Sequence, residues 1–358
     1  MPEDTAFRIA VYSMTDVGLV RQGNEDNFLV LNLSTADTWN SETEGDPDER
    51  LTTFTQSAYG SVMAVTDGMG GALAGEVASR MAVEAVRDRM LEIQSSPIYS
   101  KFPFFERLRL SIELANQEIY EASITRRECA GMGATFTAMG IYGRSAYFAQ
   151  VGDSRAYMIR DDQIQQITRD QSLVGQLVRS GHITEEEAER HTYKNVILQA
   201  LGAAARVNVV LDKLPLQDLD IIVLCSDGLS NRVRAEEIKQ IVDQAPSLKE
   251  ACEELIKLAN QRGGDDNITV VVAQFTGTQI TSSPGTNSGS WATTSGTIPL
   301  TSDTAPQATG NATAPMERWG AVTIPRHPDL PTEIDLKDLY EEEETLRPTE
   351  QIPNKSKL

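Results

Sequence analysis

The chain has 358 residues, with 32 Lys plus Arg against 52 Asp plus Glu, a formal charge of −20 and a pI near 4.6. That length suffices for one large domain or two ordinary ones, and the acidity argues against nucleic acid or an anionic membrane as main partner, since both need a positive face. Cys129, Cys225 and Cys252 have neither disulfide-framework nor metal-ligand spacing, three histidines tell against His-based metal or phospho-transfer chemistry, and no apolar run nears the roughly 20 residues that cross a bilayer.

In chain order, MPEDTAFRIA has neither a basic region nor a long apolar run, so a cytoplasmic protein is expected. Strands are expected at 7–16, 27–33 and 57–67, with 34–56 a polar, acidic, aperiodic surface loop. From Ala72 to about Ile93, Val77, Met81, Val83, Val86 and Met90 recur near one helical face. A second amphipathic helix follows from Phe104 to Ala122. Strands return at 133–143, 145–152, 155–160 and 164–168, and a polar helical stretch occupies 172–190. The strands 207–216, 220–227 and 267–275 complete the domain, with helices near 235–244 and 247–262.

Many short strands with helices grouped in pairs do not suggest alternating βαβ units. They suggest an α/β (α+β) fold for residues 1–275, a four-layer α-β-β-α sandwich with two antiparallel sheets face to face and helices outside. After Phe275 the composition changes. Of the 41 residues from Thr276 to Met316, 17 are Ser or Thr and Asp303 is the only charge, so a disordered linker is expected. An acidic, mostly disordered tail is expected at 317–358, with a short docking segment near 328–346 as the sharper reading. All three tryptophans (Trp39, Trp291, Trp319) fall outside the segments read as core.

The chemical signal is a set of acidic residues at strand ends. Arg21, Glu25 and Asp26 precede the 27–33 strand, and Asp67 with Gly68, Met69, Gly70 and Gly71 ends the 57–66 strand. Asp153 sits in VGDSR, Asp227 follows an apolar strand, and Asp265 and Asp266 open the last one. A single Asp-Gly after a strand is ordinarily a turn. Five such points invite another reading, because carboxylates converging in one cleft repel unless cations neutralise them. Oxygen ligands without His or Cys select Mg²⁺ or Mn²⁺, and two such ions can share a bridging water and lower its pKa.

Taken with GATFTA (133–138), SLVGQLVRSGHIT (172–184), NVILQALG (195–202), SDGLS (226–230) and DDNITVVV (265–272), these boxes stand in the family order of metal-dependent serine/threonine phosphatases. Over about Ile9 to Phe275 the sequence resembles the bacterial form of the protein phosphatase 2C (PPM) family. The resemblance implies hydrolysis of phosphoserine and phosphothreonine in proteins with two Mn²⁺ or Mg²⁺ ions and a third, weaker site. It implies Asp67 as the carboxylate bridging both metals with the Gly68 carbonyl beside it, Asp227 and Asp266 as further ligands of the first metal, and Glu25 as a contact of the second. Asp26 would orient the nucleophile, Asp153 with Asp227 would form the third site, and Arg21 would clamp the phosphate. Ser226 and Asn267 are supporting candidates, Gly133 and Thr135 are read as packing residues, and residues 170–200 resemble a mobile flap. Met69 stands where animal members carry a histidine proposed as general acid, and Met has no proton to donate.

The implied partners are phosphorylated proteins, with serine/threonine kinases as antagonists and a monomer as the default. Cysteine-based phosphatase chemistry is excluded, since Thr135, Asn231 and Leu258 stand six residues after the three cysteines, and no P-loop or kinase motif appears. The alternatives are a same-fold phosphatase dedicated to one regulatory partner, or an inactive scaffold. The −20 charge is equally a faint hint at basic phosphopeptides and a mark of general solubility.

Overall fold

The computed structural model of the chain describes residues 7–43, 45–70 and 74–277. The expected linker beyond Gly277, the 317–358 tail with its 328–346 segment, Trp291, Trp319 and Gly71 lie outside the described residues. One sheet runs β10 (Gln163–Gln166), β9 (Arg155–Arg160), β12 (Ile221–Cys225), β13 (Ile268–Gly277), β1 (Phe7–Asp16), β4 (Thr53–Thr55). The other runs β11 (Val210–Pro215), β8 (Ser145–Val151), β7 (Phe136–Tyr142), β5 (Ser61–Met69), β2 (Asp26–Asn32), β3 (Thr38–Asn40), with the short β6 (Gly133–Ala134) also paired to β5. Every pairing is antiparallel.

The sheets pack face to face, and side-chain alternation explains why the strands read as continuous apolar runs. In β2, Phe28 and Val30 enter the core between the sheets, while Leu29 and Leu31 meet α2 (Ala74–Ser95) and α3 (Phe104–Thr125). In β13, Val271, Ala273 and Phe275 face the other sheet, while Val270 and Val272 lie under α7 (Ala235–Gln244) and α8 (Leu248–Gln261). A strand buried on both faces needs apolar residues at every position. Each Val, Leu or Phe so buried contributes about 1.5–3 kcal/mol relative to exposure, and three stacked cores make a stiff frame for the strand ends. Among the described residues no helix is long and apolar enough to cross a membrane.

Residues 34–56 depart from the expected surface loop. They form β3, the short helix α1 (Glu49–Thr52) capped by the Asp48 carboxylate, and β4, and they extend an edge of each sheet. Trp39 is core, not surface. Its ring stands edge-on to Tyr12 at 5.3 Å and Phe28 at 5.2 Å and is 4% exposed. Three-residue edge strands are too short to leave a periodic signal, so polar composition masked them.

Candidate active site

Strand pairing builds the centre of the site. Asp26, the first residue of β2, lies directly opposite Asp67 near the end of β5, and Gly68 N–H donates to the Glu25 carbonyl at 3.0 Å. The glycine is required there, because a Cβ on Gly68 would fall 2.0 Å from the Gly75 carbonyl oxygen. Asp67 is fixed by Thr135, whose Oγ1 accepts from Asp67 N–H at 2.9 Å and whose own N–H donates to the Asp67 carbonyl at 2.8 Å. Thr135 Oγ1 also meets Ser154 Oγ at 2.8 Å, beside Asp153, so one hydroxyl ties two acidic strand ends together. Thr135 thus positions the acidic cluster, beyond the packing role its apolar strand suggested. Buried threonines in such strands look alike in sequence.

From the other sheet come the remaining members. Asp227 opens the short helix α6 (Asp227–Ser230) after β12, and Asp266 and Asn267 precede β13. A Cβ on Gly228 would lie 2.0 Å from the Asn267 carbonyl oxygen, and that close approach draws the two segments together. Ser226 Oγ donates to Asp26 Oδ2 at 2.6 Å, and Asn267 Oδ1 accepts from Glu25 N–H at 2.7 Å. Both residues therefore stitch one sheet to the other. Asp265 is turned outward to Arg232, whereas Asp266 faces Arg21, which donates through Nη2 to Asp266 Oδ2 at 3.0 Å and lies 3.7 Å from Glu25.

The crowding is visible in protonation. Burial, with the charges of Asp227 and Asp266, pushes Asp26 up to about 7 against the opposing Ser226 and Thr269 hydroxyls. Asp153 is raised to about 7 by burial and by Asp227 and Asp170. Asp67 is raised well above the usual carboxylate range by burial and then by Asp26, Asp227, Asp153 and Asp266. Asp227 is raised by burial and Asp266.

The donor set fits a hard cation. It is oxygen only, and Oδ1 of Asp26, Asp153 and Asp227 are buried without a hydrogen-bond partner. Among the described residues, no three His, Cys, Asp or Glu side chains are drawn to the spacing of a single-ion cage, and Arg21 serves as the counter-charge between Glu25 and Asp266. The residues that could hold a cation are Glu25, Asp67, the Gly68 carbonyl, Asp153, Asp227 and Asp266. Met69 pairs with Gly133 on β6. No candidate proton donor stands in its place in the β5–β6 ladder.

Gly75 went unnoticed in the sequence, where it is one small residue at the start of a helix. A Cβ there would fall 2.4 Å from Glu25 Oε1 and 2.9 Å from the Gly68 carbonyl oxygen. Gly75→Ala is therefore expected to weaken Mn²⁺ binding about tenfold by displacing Glu25 and the Gly68 carbonyl. The metal-free fold should lose about 1–3 kcal/mol, because the Gly68 carbonyl is backbone and must shift, which outweighs the helix preference of Ala. Calorimetric titration with Mn²⁺ beside a denaturant melt measures both, and unchanged affinity would separate Glu25 from cation binding.

The family description "Protein phosphatase 2C" matches residues 43–271. The serine/threonine phosphatase stp of Listeria innocua is 35% identical over 260 residues, which cover 73% of this chain and 93% of the relative. The Streptococcus agalactiae serine/threonine phosphatase structure aligns with a TM-score of 0.62 at 33% identity, covering 74% of this chain and 98% of that one. The catalytic domain of the phosphatase PstP, solved with two manganese ions, aligns at 0.60 and 32% identity, covering 76% of this chain and 100% of that one.

Proposed function

Because the chain belongs to the protein phosphatase 2C family and is a serine/threonine phosphatase of that type, we propose that its aspartate cluster hydrolyses phosphoserine and phosphothreonine in proteins, opposing serine/threonine kinases, with two Mn²⁺ or Mg²⁺ ions held at the cluster. The observation that carries this reading is the convergence of Asp26, Asp67, Asp153, Asp227 and Asp266 from two sheets, with buried carboxylate oxygens that no protein group satisfies. When bound, the cations supply charge neutralisation for the phosphoryl oxygens and a water of lowered pKa.

The chain's own residues do the rest. Asp67, fixed through its backbone by Thr135, would hold a cation together with the Gly68 carbonyl, Asp227 and Asp266. Glu25 would help hold a second ion, and Asp153 with Asp227 a third, weaker one. Asp26 keeps Oδ2 on Ser226, and its unpartnered Oδ1 would accept a hydrogen bond from the attacking water and orient it. Arg21 is half exposed, and its planar guanidinium suits two phosphoryl oxygens at once. Asn267 and Ser226 hold these groups in register, as preorganised electrostatics requires. Residues 170–200 carry α4 (Leu173–Arg179) and α5 (Glu185–Arg190), the latter with a Thr184–Glu187 capping box, and act as the flap beside the site.

The test is phosphate release from a phosphothreonine peptide by the full chain with millimolar Mn²⁺, then with excess EDTA. Turnover that EDTA abolishes and Mn²⁺ restores is expected. Folded protein inactive with both Mn²⁺ and Mg²⁺ would point instead to a binding protein that kept the fold.

A further inference from the structure

The carboxylate cluster opens sideways into a cavity of about 470 Å³, with Asp153 and Asp227 at its inner wall. Its outer wall is the flap, and the charge there runs against that of the chain. Arg179 at the end of α4, Arg190 at the end of α5 and Lys194 just beyond all line the cavity and are exposed. The other lining cations are Arg155, Arg169 and Arg232, of which Arg155 is bound to Asp170 at 2.7 Å and Arg232 to Asp265. Arg179 has its Nη1 on the Asp170 backbone carbonyl at 2.8 Å, which fixes its direction without neutralising it. Within 170–200, Asp170 and Glu185 are the carboxylates that line the cavity among the described residues; Asp170 is paired with Arg155, which leaves Glu185 outnumbered by Arg179, Arg190 and Lys194.

Resting on the phosphatase reading above, we infer that this cavity is a specificity subsite for an acidic side chain, Asp or Glu, near the phosphorylated residue of the substrate protein. The scissile phosphate and the acidic side chain would lie at opposite ends of one continuous cleft, the first at the carboxylate cluster, the second at Arg179, Arg190 and Lys194. A chain of net charge −20 would repel acidic partners at long range, but beyond about 10 Å that repulsion is screened at physiological salt. Contact at three cations in a cleft then decides. The favoured substrates are accordingly acidic near the phosphothreonine, contrary to the hint from total charge.

The experiment compares kcat/KM of the full-length Mn²⁺-loaded protein on phosphothreonine peptides that differ only in flanking residues, with Asp, Ala or Lys, and on p-nitrophenyl phosphate. The expected result is an Asp-over-Lys ratio of about tenfold or more that shrinks with added salt and falls toward one in Arg190→Glu/Lys194→Glu. Equal rates on all three peptides, or a preference for Lys, would overturn the subsite while hydrolysis of p-nitrophenyl phosphate left the phosphatase reading standing. A preference seen only when a second phosphate replaces Asp would overturn the assignment to carboxylates. Because the wild-type ratio decides on its own, a variant that fails to fold does not rescue the idea.

Discussion

Asp67→Asn is expected to lower kcat by at least about 10²–10³-fold while the protein stays folded. The substitution keeps size and leaves untouched the two backbone hydrogen bonds with Thr135 that hold the strand end. What it removes is the charge at the residue most surrounded by other carboxylates. Without cations that charge is a burden, so the metal-free variant is expected to be at least as stable as wild type. With Mn²⁺ the order reverses, since wild type gains binding energy that the amide forgoes. Steady-state rates on a phosphothreonine peptide, paired with melting curves in EDTA and in Mn²⁺, read both halves. Near wild-type turnover by this variant would remove Asp67 from the chemistry and with it the two-cation reading.

The second large effect is on stability against pH. Asp26 and Asp153 are held near 7 in the folded chain and Asp67 and Asp227 are also raised, all mainly by burial, whereas an unfolded Asp titrates at about 3.9. Between those values the folded state keeps protons that the unfolded chain has released, so stability falls as pH rises. The opposing groups, Asp48 and Glu237 at about 2 and the lowered Asp162, Glu186 and Asp265, contribute stability that is complete by about pH 5, above their unfolded values. In EDTA the protein is therefore expected to lose stability from pH 5 to pH 7, by an amount on the order of a few kcal/mol. Mn²⁺ at pH 7 should restore it, since cations favour the ionised carboxylates. Urea melts at both pH values, with and without Mn²⁺, test this. A stability in EDTA that is flat or rising over that range would mean the carboxylates are not crowded as described.

The inverted charge of the flap cavity links these effects to substrate choice. Asp153 and Asp227 belong both to the cluster and to the cavity wall, so any cation they hold would sit where the substrate passes from one to the other. That makes peptide preference a property to measure in the loaded protein.

The sequence by itself singled out the side chains proposed to carry the chemistry. Glu25, Asp26, Asp67, Asp153, Asp227 and Asp266 were legible as a set because each falls beside a glycine or at the edge of an apolar strand, and their separate roles, with that of Arg21, came from the resemblance of the surrounding boxes to the phosphatase family. It determined the layers as well, since paired amphipathic helices and strands apolar on both faces have few other ways to bury their surfaces. Which strands pair was not written there. Runs such as IIVLC and ITVVV are interchangeable as apolar surfaces, and only the assembled sheets set Asp26 opposite Asp67 and bring Arg21 to Asp266, 245 residues away. The same holds for Trp39, which left no pattern in a polar segment yet completes the core between Tyr12 and Phe28. It holds for Gly75, small only because Glu25 folds against it. Local pattern records what each residue must bury or expose, whereas a site made of strand ends depends on register and on long-range closure. Those are energies of the whole packed chain, shared among contacts that no short window of sequence contains.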